Sequence, residues 1–169
     1  FIIFIFIGLI LSISQSFSDE KIKIGLVVPL SGEYKEIGNS ILKATRLAIN
    51  KIDDLKIKVI PRDTKSNPET TLKVSKELHD QGVKIIIGPV FNKNLIYLDE
   101  LSEVTFLSLS NTNINNPKNV INGGINATSQ INAIKKFQEF AKLERSILLV
   151  PNSEFQNEIE VAIKASKIK

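Results

Sequence analysis

The sequence predicts an α/β fold built on a doubly wound, Rossmann-like parallel sheet, followed by the start of a second, truncated αβ lobe. Three observations carry this. Short apolar runs rich in Val and Ile recur along the chain, each closed by Pro, Gly, Ser or Asp. Between them the apolar spacing lengthens to three or four residues, the period of a helix with one buried stripe. The two patterns alternate, which implies parallel strands, right-handed crossovers and helices on both faces. In open sheets of this kind ligands bind beyond the carboxyl ends of the strands.

The first run, Lys23 to Val28, is closed by Pro29 and Ser31-Gly32 and suits a strand buried on both faces. Past Gly38, residues Ile41, Ala44, Ala48 and Ile52 keep helical spacing. Leu55 to Pro61 alternates, as befits a strand nearer the sheet edge, and Arg62-Asp63-Thr64 ends it. Asn67 caps a helix that Pro68 starts and Gly82 closes, with Thr71, Val74 and Leu78 on its apolar face. Val83 to Ile87 is the third strand, ended by Gly88-Pro89. A short helix near Asn94 carries Leu95, Leu98 and Leu101, and Thr105 to Leu109 is the fourth strand. From Ser110 to Gly124 the chain turns polar and Asn-rich around a weak strand at Val120-Ile121, and reads as a crossover. Asn126 to Ser129 caps the next helix, where Ala133, Ile134, Phe137, Phe140 and Ala141 recur at helical spacing. Glu144 to Pro151 reads as a new strand, and Glu154 to Lys169 as the helix after it.

With 169 residues, 43% apolar and 24% charged, the chain has the composition of a soluble globular protein. Its net charge of +4 comes from lysines scattered among glutamates. No run of like charge tracks a phosphate backbone, so nucleic acid is not an expected partner. The absence of Cys excludes disulfides, thiolate metal sites and a cysteine nucleophile. There is no Gly-x-Ser-x-Gly elbow, no phosphate loop and no histidine pair at metal spacing. The single histidine, His79, lies among Lys76, Glu77 and Asp80 and reads as a solvated surface residue. Neither catalysis nor a cofactor or metal is expected.

Phe1 to Ile13 is apolar apart from Gly8 and Ser12, and Ser16-Phe17-Ser18 precedes Asp19-Glu20. This is the pattern of a secretory signal over residues 1–18, cut after Ser18, with a membrane anchor that stays attached as the other reading, and no cysteine stands there for a lipid. The rest is then expected to work outside the cytoplasm. The first residue is not Met, and the final third opens an αβ unit that cannot cover two sheet faces, so the sequence reads as a fragment. The expected division is an amino-terminal lobe over residues 19–122 and, over 123–169, the crossover and beginning of a second lobe.

Lys23-Ile24-Gly25-Leu26 through Pro29-Leu30-Ser31-Gly32 and Gly38 is the first of a set of ordered matches. Arg62-Asp63-Thr64 with Asn67-Pro68-Glu69, then Ile86-Ile87-Gly88-Pro89, then Leu107-Ser108-Leu109-Ser110-Asn111 complete it. Together they resemble the leucine-binding-protein branch of the type I periplasmic binding proteins, two-lobed clamshells that close on a ligand. Within that branch the Asp63-Thr64 ending, the Gly88-Pro89 turn and the Leu-Ser-Asn run are most similar to penicillin-binding-protein activators. The resemblance implies a periplasmic, non-catalytic domain. It would bind a small amino-acid-like or anionic solute for a membrane transporter or, alternatively, regulate a peptidoglycan synthase by protein contact.

In transport members, hydroxyls and backbone amides after the third and fourth strands hold the ligand's carboxylate. Carried over, those positions are Asn92, Ser110 and Thr112, and an apolar Ile37 stands where an aromatic often covers the ligand. With the loop residues Ser31, Gly32 and Asn111 they make up the candidate ligand-binding set. Amides at a helix start carry partial positive charge, and nearby hydroxyls complete the bonds of an anionic group. A second reading stands beside this one, because Ser110-Asn111-Thr112 is also turn chemistry and Ser31-Gly32 also a tight turn. Tyr34 and Tyr97 either line a cleft or pack on a helix, and Asn126-Ala127-Thr128 is either a glycosylation acceptor or a cap.

Overall fold

The computed structural model describes residues 21–112, 116–150 and 155–168. The signal-like stretch 1–18 and Pro151 lie outside the described residues. Strand β1 (Ile22–Val28) leads to helix α1 (Lys35–Ile52), and β2 (Ile57–Asp63) to α2 (Pro68–Asp80). After β3 (Ile85–Ile87) come two single 3-10 turns, Asn92–Leu95 and Leu98–Leu101. Then follow β4 (Thr105–Ser108), β5 (Val120–Asn122), α3 (Ala127–Phe140) and α4 (Gln156–Ser166). The five strands form one parallel sheet in the order β2-β1-β3-β4-β5, as the alternation implies.

Leu26, Val27 and Val28 of β1 are fully buried. Successive strand residues point to opposite faces, so the sheet is apolar on both. One face packs Val27, Ile86 and Phe106 against Leu78 of α2 and the leucines 95, 98 and 101 of the 3-10 turns. Those leucines stand three apart, the period of a 3-10 helix, which is why short turns replace the expected helix. On the other face, Leu26 aligns through the register with Ile87, Leu107 and Ile121. There α1 packs against β1, whereas Leu107 and Ile121 stay partly exposed.

Helix α2 starts as its sequence dictates. Asn67 Oδ1 accepts the Thr70 amide at 2.7 Å, and Pro68 takes the first position. Thr71 and Ser75 are buried on its inner face, and their hydroxyls donate to carbonyls one turn back at 2.7 Å. Strand β2 takes in Arg62 and Asp63, which were expected to end it, and pairs Asp63 with Val28. A proline is tolerated because β2 is an edge strand, whose open side needs no ladder bond from it.

A second, smaller apolar cluster joins α3 and α4 through Ala127, Ile131 and Ala162, with Leu148, Phe155 and Ile159 packed on it. The strand expected from Glu144 to Pro151 does not form within residues 144–150. The segment keeps the alternation of a strand: Leu148 packs inward while Ile147 and Leu149 are exposed. Pairing fails because no second strand lies beside it among the described residues to complete a ladder.

Candidate functional site

The chain leaves β1 for β2 on one side and returns to β3 on the other, so the strand order reverses between β1 and β3. In open sheets of this kind such a reversal is where the loops beyond the carboxyl ends diverge and a ligand crevice is expected. One carboxylate organises its first wall. Asp63, at the end of β2, accepts the Leu30 amide at 2.8 Å, the Lys65 amide at 2.9 Å and the Ser31 hydroxyl at 2.6 Å. Thr64 N–H donates to the Val28 carbonyl at 3.0 Å and closes the same corner.

Burial alone would raise the Asp63 pKa. Hydrogen bonds from the Ser31 side chain and from the amides of Lys65, Leu30 and Ser31 outweigh it and hold the carboxyl below its ordinary value of 3.8. A depressed carboxylate contributes stability that is present above its unfolded pKa and lost as pH falls through its folded one. The stability advantage of the native protein over Asp63→Asn is therefore expected to shrink as pH drops below 3.8. Urea unfolding of both proteins across that range checks it, and a difference constant with pH contradicts it. The comparison cancels Glu103, which a hydrogen bond from Lys84 also holds low.

The second wall comes from β3 and β4. Gly88 N–H donates to the Leu107 carbonyl at 2.8 Å, and Leu109 N–H to the Pro89 carbonyl at 2.9 Å, across a cis Gly88-Pro89 bond. Ser110 N–H donates to Ser108 Oγ at 3.1 Å, and Ser110 Oγ in turn accepts the Thr112 amide at 3.1 Å. Asn122 Nδ2, at the end of β5, donates to the Thr112 carbonyl at 2.6 Å. The walls meet where the Tyr34 and Phe91 rings pack edge to face, with centroids 4.8 Å apart.

The structure thus brings the loops carrying Ser31 and Gly32, Asn92, and Ser110 to Thr112 to one rim. Ser31 and Gly32 are exposed, with Gly32 at φ +75° in the tight turn before α1. Asn92 is half-buried at the start of a 3-10 turn, and its Oδ1 is buried without a hydrogen-bond partner among the described residues. Ser110 is buried with its hydroxyl turned onto Thr112, Thr112 is half-buried, and Asn111 is exposed. Ser110 and Thr112 therefore make the bonds that turn chemistry requires.

Sequence reasoning missed Asp63 as the clamp and Phe91 as the partner of Tyr34. Their only signals were a strand-end Asp level with Ser-Gly and an aromatic just after Gly-Pro. His79 sits at the surface, 3.6 Å from Asp80 and 3.9 Å from Glu103. Among the described residues no group of three His, Cys, Asp or Glu can hold a metal ion, and no helix is long and apolar enough to cross a membrane. A cavity of about 500 Å³ lined by Asp99, Ser102 and residues 116–119 opens near the amino ends of β4 and β5, opposite the rim.

Residues 21–166 match the periplasmic binding protein family. An uncharacterized protein of Methanocaldococcus jannaschii is 31% identical over 111 residues, which cover 59% of this chain and 27% of that protein. LpoA of Haemophilus influenzae superposes with a TM-score of 0.71 at 18% identity, over 86% of this chain and 27% of its own. An ABC-transporter solute-binding protein of Rhodopseudomonas palustris, in complex with 3,4-dihydroxybenzoic acid, gives 0.67 at 21% identity over 87% and 44%. The leucine-binding protein LivK of Thermotoga maritima gives 0.59 at 15% over 86% and 45%. The chain thus spans from about a quarter to under half the length of these relatives. At these identities the three structural likenesses speak for the fold, and their proteins are solute binders and LpoA, which is described as a regulator of PBP1A. With a matching family over most of its length and a parallel sheet whose order reverses at a polar rim, this chain belongs to the periplasmic binding protein family.

Proposed function

We propose that this chain is the amino-terminal lobe, with the beginning of a second lobe after residue 122, of an exported, periplasmic, non-catalytic binding domain. The domain takes a small amino-acid-like or anionic solute between its lobes and presents it to a membrane transporter. The observation that carries this reading is the convergence of the loops after β1, β3 and β4 at the switch point of the sheet. The separate apolar clusters of the sheet and of α3 with α4 support the division into lobes. Lobes that share a ligand close on it, because its contacts to both favour the closed state.

Isothermal titration of the full-length protein with leucine, 4-hydroxybenzoate and 3,4-dihydroxybenzoate tests the proposal, these being chosen from what the solved relatives bind. Saturable binding of at least one is expected, weakened about tenfold by Asn92→Ala, the cost of one hydrogen bond to a charged group. Ser110→Ala is a poorer probe, because that hydroxyl holds its own turn. A second reading is favoured by the same closed turn and by the likeness to LpoA: regulation of a peptidoglycan synthase through protein contact. Silence toward every solute, together with capture of a penicillin-binding protein, would decide for it.

A further inference from the structure

The rim's hydrogen-bond polarity can be read at one residue. Ser31 is exposed on the loop after β1, and its hydroxyl has a single proton. That proton is given to Asp63 Oδ2 at 2.6 Å, the length of a hydroxyl on an ionised carboxylate. A carboxylate only accepts, so the direction of this bond is determined. Nor is Asp63 free to turn away, because its Oδ1 receives the amides of Leu30 and Lys65. Only lone pairs remain on the outward side of Ser31 Oγ. Asn92, across the switch point, carries both a donor and an acceptor on its amide and does not discriminate.

We infer that Asp63 is a positioning residue that makes the Ser31 hydroxyl an acceptor-only contact, so that a group seated against that hydroxyl is a hydrogen-bond donor, an ammonium or a hydroxyl, and not a carboxylate oxygen. This rests on the ligand-binding proposal and deepens it. A solute with both kinds of group would point its donor end at Ser31.

Two probes share leucine's branched tail but keep one polar end each: isoamylamine, a donor, and isocaproate, an acceptor. In the full-length protein isoamylamine is expected to bind more tightly. Ser31→Ala should cost it about tenfold and leave isocaproate unchanged. Asp63→Asn should invert the preference. The new carboxamide oxygen keeps the Leu30 and Lys65 amides, its NH2 donates to Ser31 Oγ, and the hydroxyl proton turns outward to meet a carboxylate. Equal losses for both probes in Asp63→Asn, or a native preference for isocaproate, overturn the inference.

A ligand-free readout separates its failure from that of the parent proposal. Followed by carboxyl 13C NMR, Asp63 should titrate below 3.8 in the native protein and higher in Ser31→Ala, because the hydroxyl no longer donates to it. If neither probe binds, the donor seat falls with the ligand-binding proposal, while this titration still decides whether Ser31 donates to Asp63. An unchanged Asp63 titration in Ser31→Ala overturns that bond.

Discussion

Gly88→Ala is expected to destabilise the protein by roughly 3 kcal/mol or more, because strain and a backbone overlap add at one atom. Gly88 has φ +103°, a conformation L side chains rarely adopt. A Cβ there would overlap the carbonyl oxygen of Val27 and stand 3.1 Å from its Cγ2. Neither partner can retreat. Val27 is fully buried in β1, and the Gly88 amide is tied to Leu107 of β4 at 2.8 Å, so moving Gly88 pulls β3 from both neighbours. Gly82 is the control: its φ is +83°, but nothing lies within 4 Å of its missing Cβ. Gly82→Ala should cost only the dihedral strain, about 1 kcal/mol. Urea midpoints of the two variants measure the difference, and equal losses would show that the overlap at Val27 contributes nothing.

Parallel strands were legible because Val/Ile runs alternate with helix-spaced stretches, and that alternation leaves few topologies open. Which strand lies beside which was not. Ile24 pairs with Val59 on one side and Ile85 on the other, and nothing within its own run names either neighbour. The same holds where the reading departed from the structure. Residues 144–150 have the apolar run of a strand, and Leu148 turns inward as a strand residue would, but a ladder is a property of two segments and the run describes one. For β2 the reading came closer: its alternation pointed to a strand near the sheet edge, where β2 lies and where Pro61 is tolerated.

The rim followed from strand order, since loops after adjacent parallel strands converge. Its hydrogen bonding did not. Ser31 and Asp63 are 32 residues apart, and that the hydroxyl of one is spoken for by the other is invisible from either. Ser110 shows the opposite case: its partners, Ser108 and Thr112, lie two residues away, so the turn it makes was written in its neighbourhood. Local polar chemistry is legible at short range, while the groups left for a ligand emerge only after distant partners have been subtracted.

Gly38→Ala carries that lesson into a change of sign. In an exposed helix interior, alanine is better than glycine by about 1 kcal/mol, and on propensity alone the variant should be stabilised. Gly38, however, is the buried residue of α1, and its missing Cβ would overlap the carbonyl group of Pro29. Pro29 follows directly on the fully buried Val28, so the loop is held and the helix must move. Moving α1 away from β1 loosens the packing it makes there and shifts Tyr34, at its start, from Phe91. A net loss of roughly 3 kcal/mol is therefore expected, with changed NMR shifts for the Tyr34 ring and for Asn92, next to Phe91. A rise in the urea midpoint would mean that α1 does not approach the β1 loop this closely. The first wall of the crevice would then need redrawing, whereas a loss without any shift at Tyr34 would confine the strain to Pro29 and leave the rim as described.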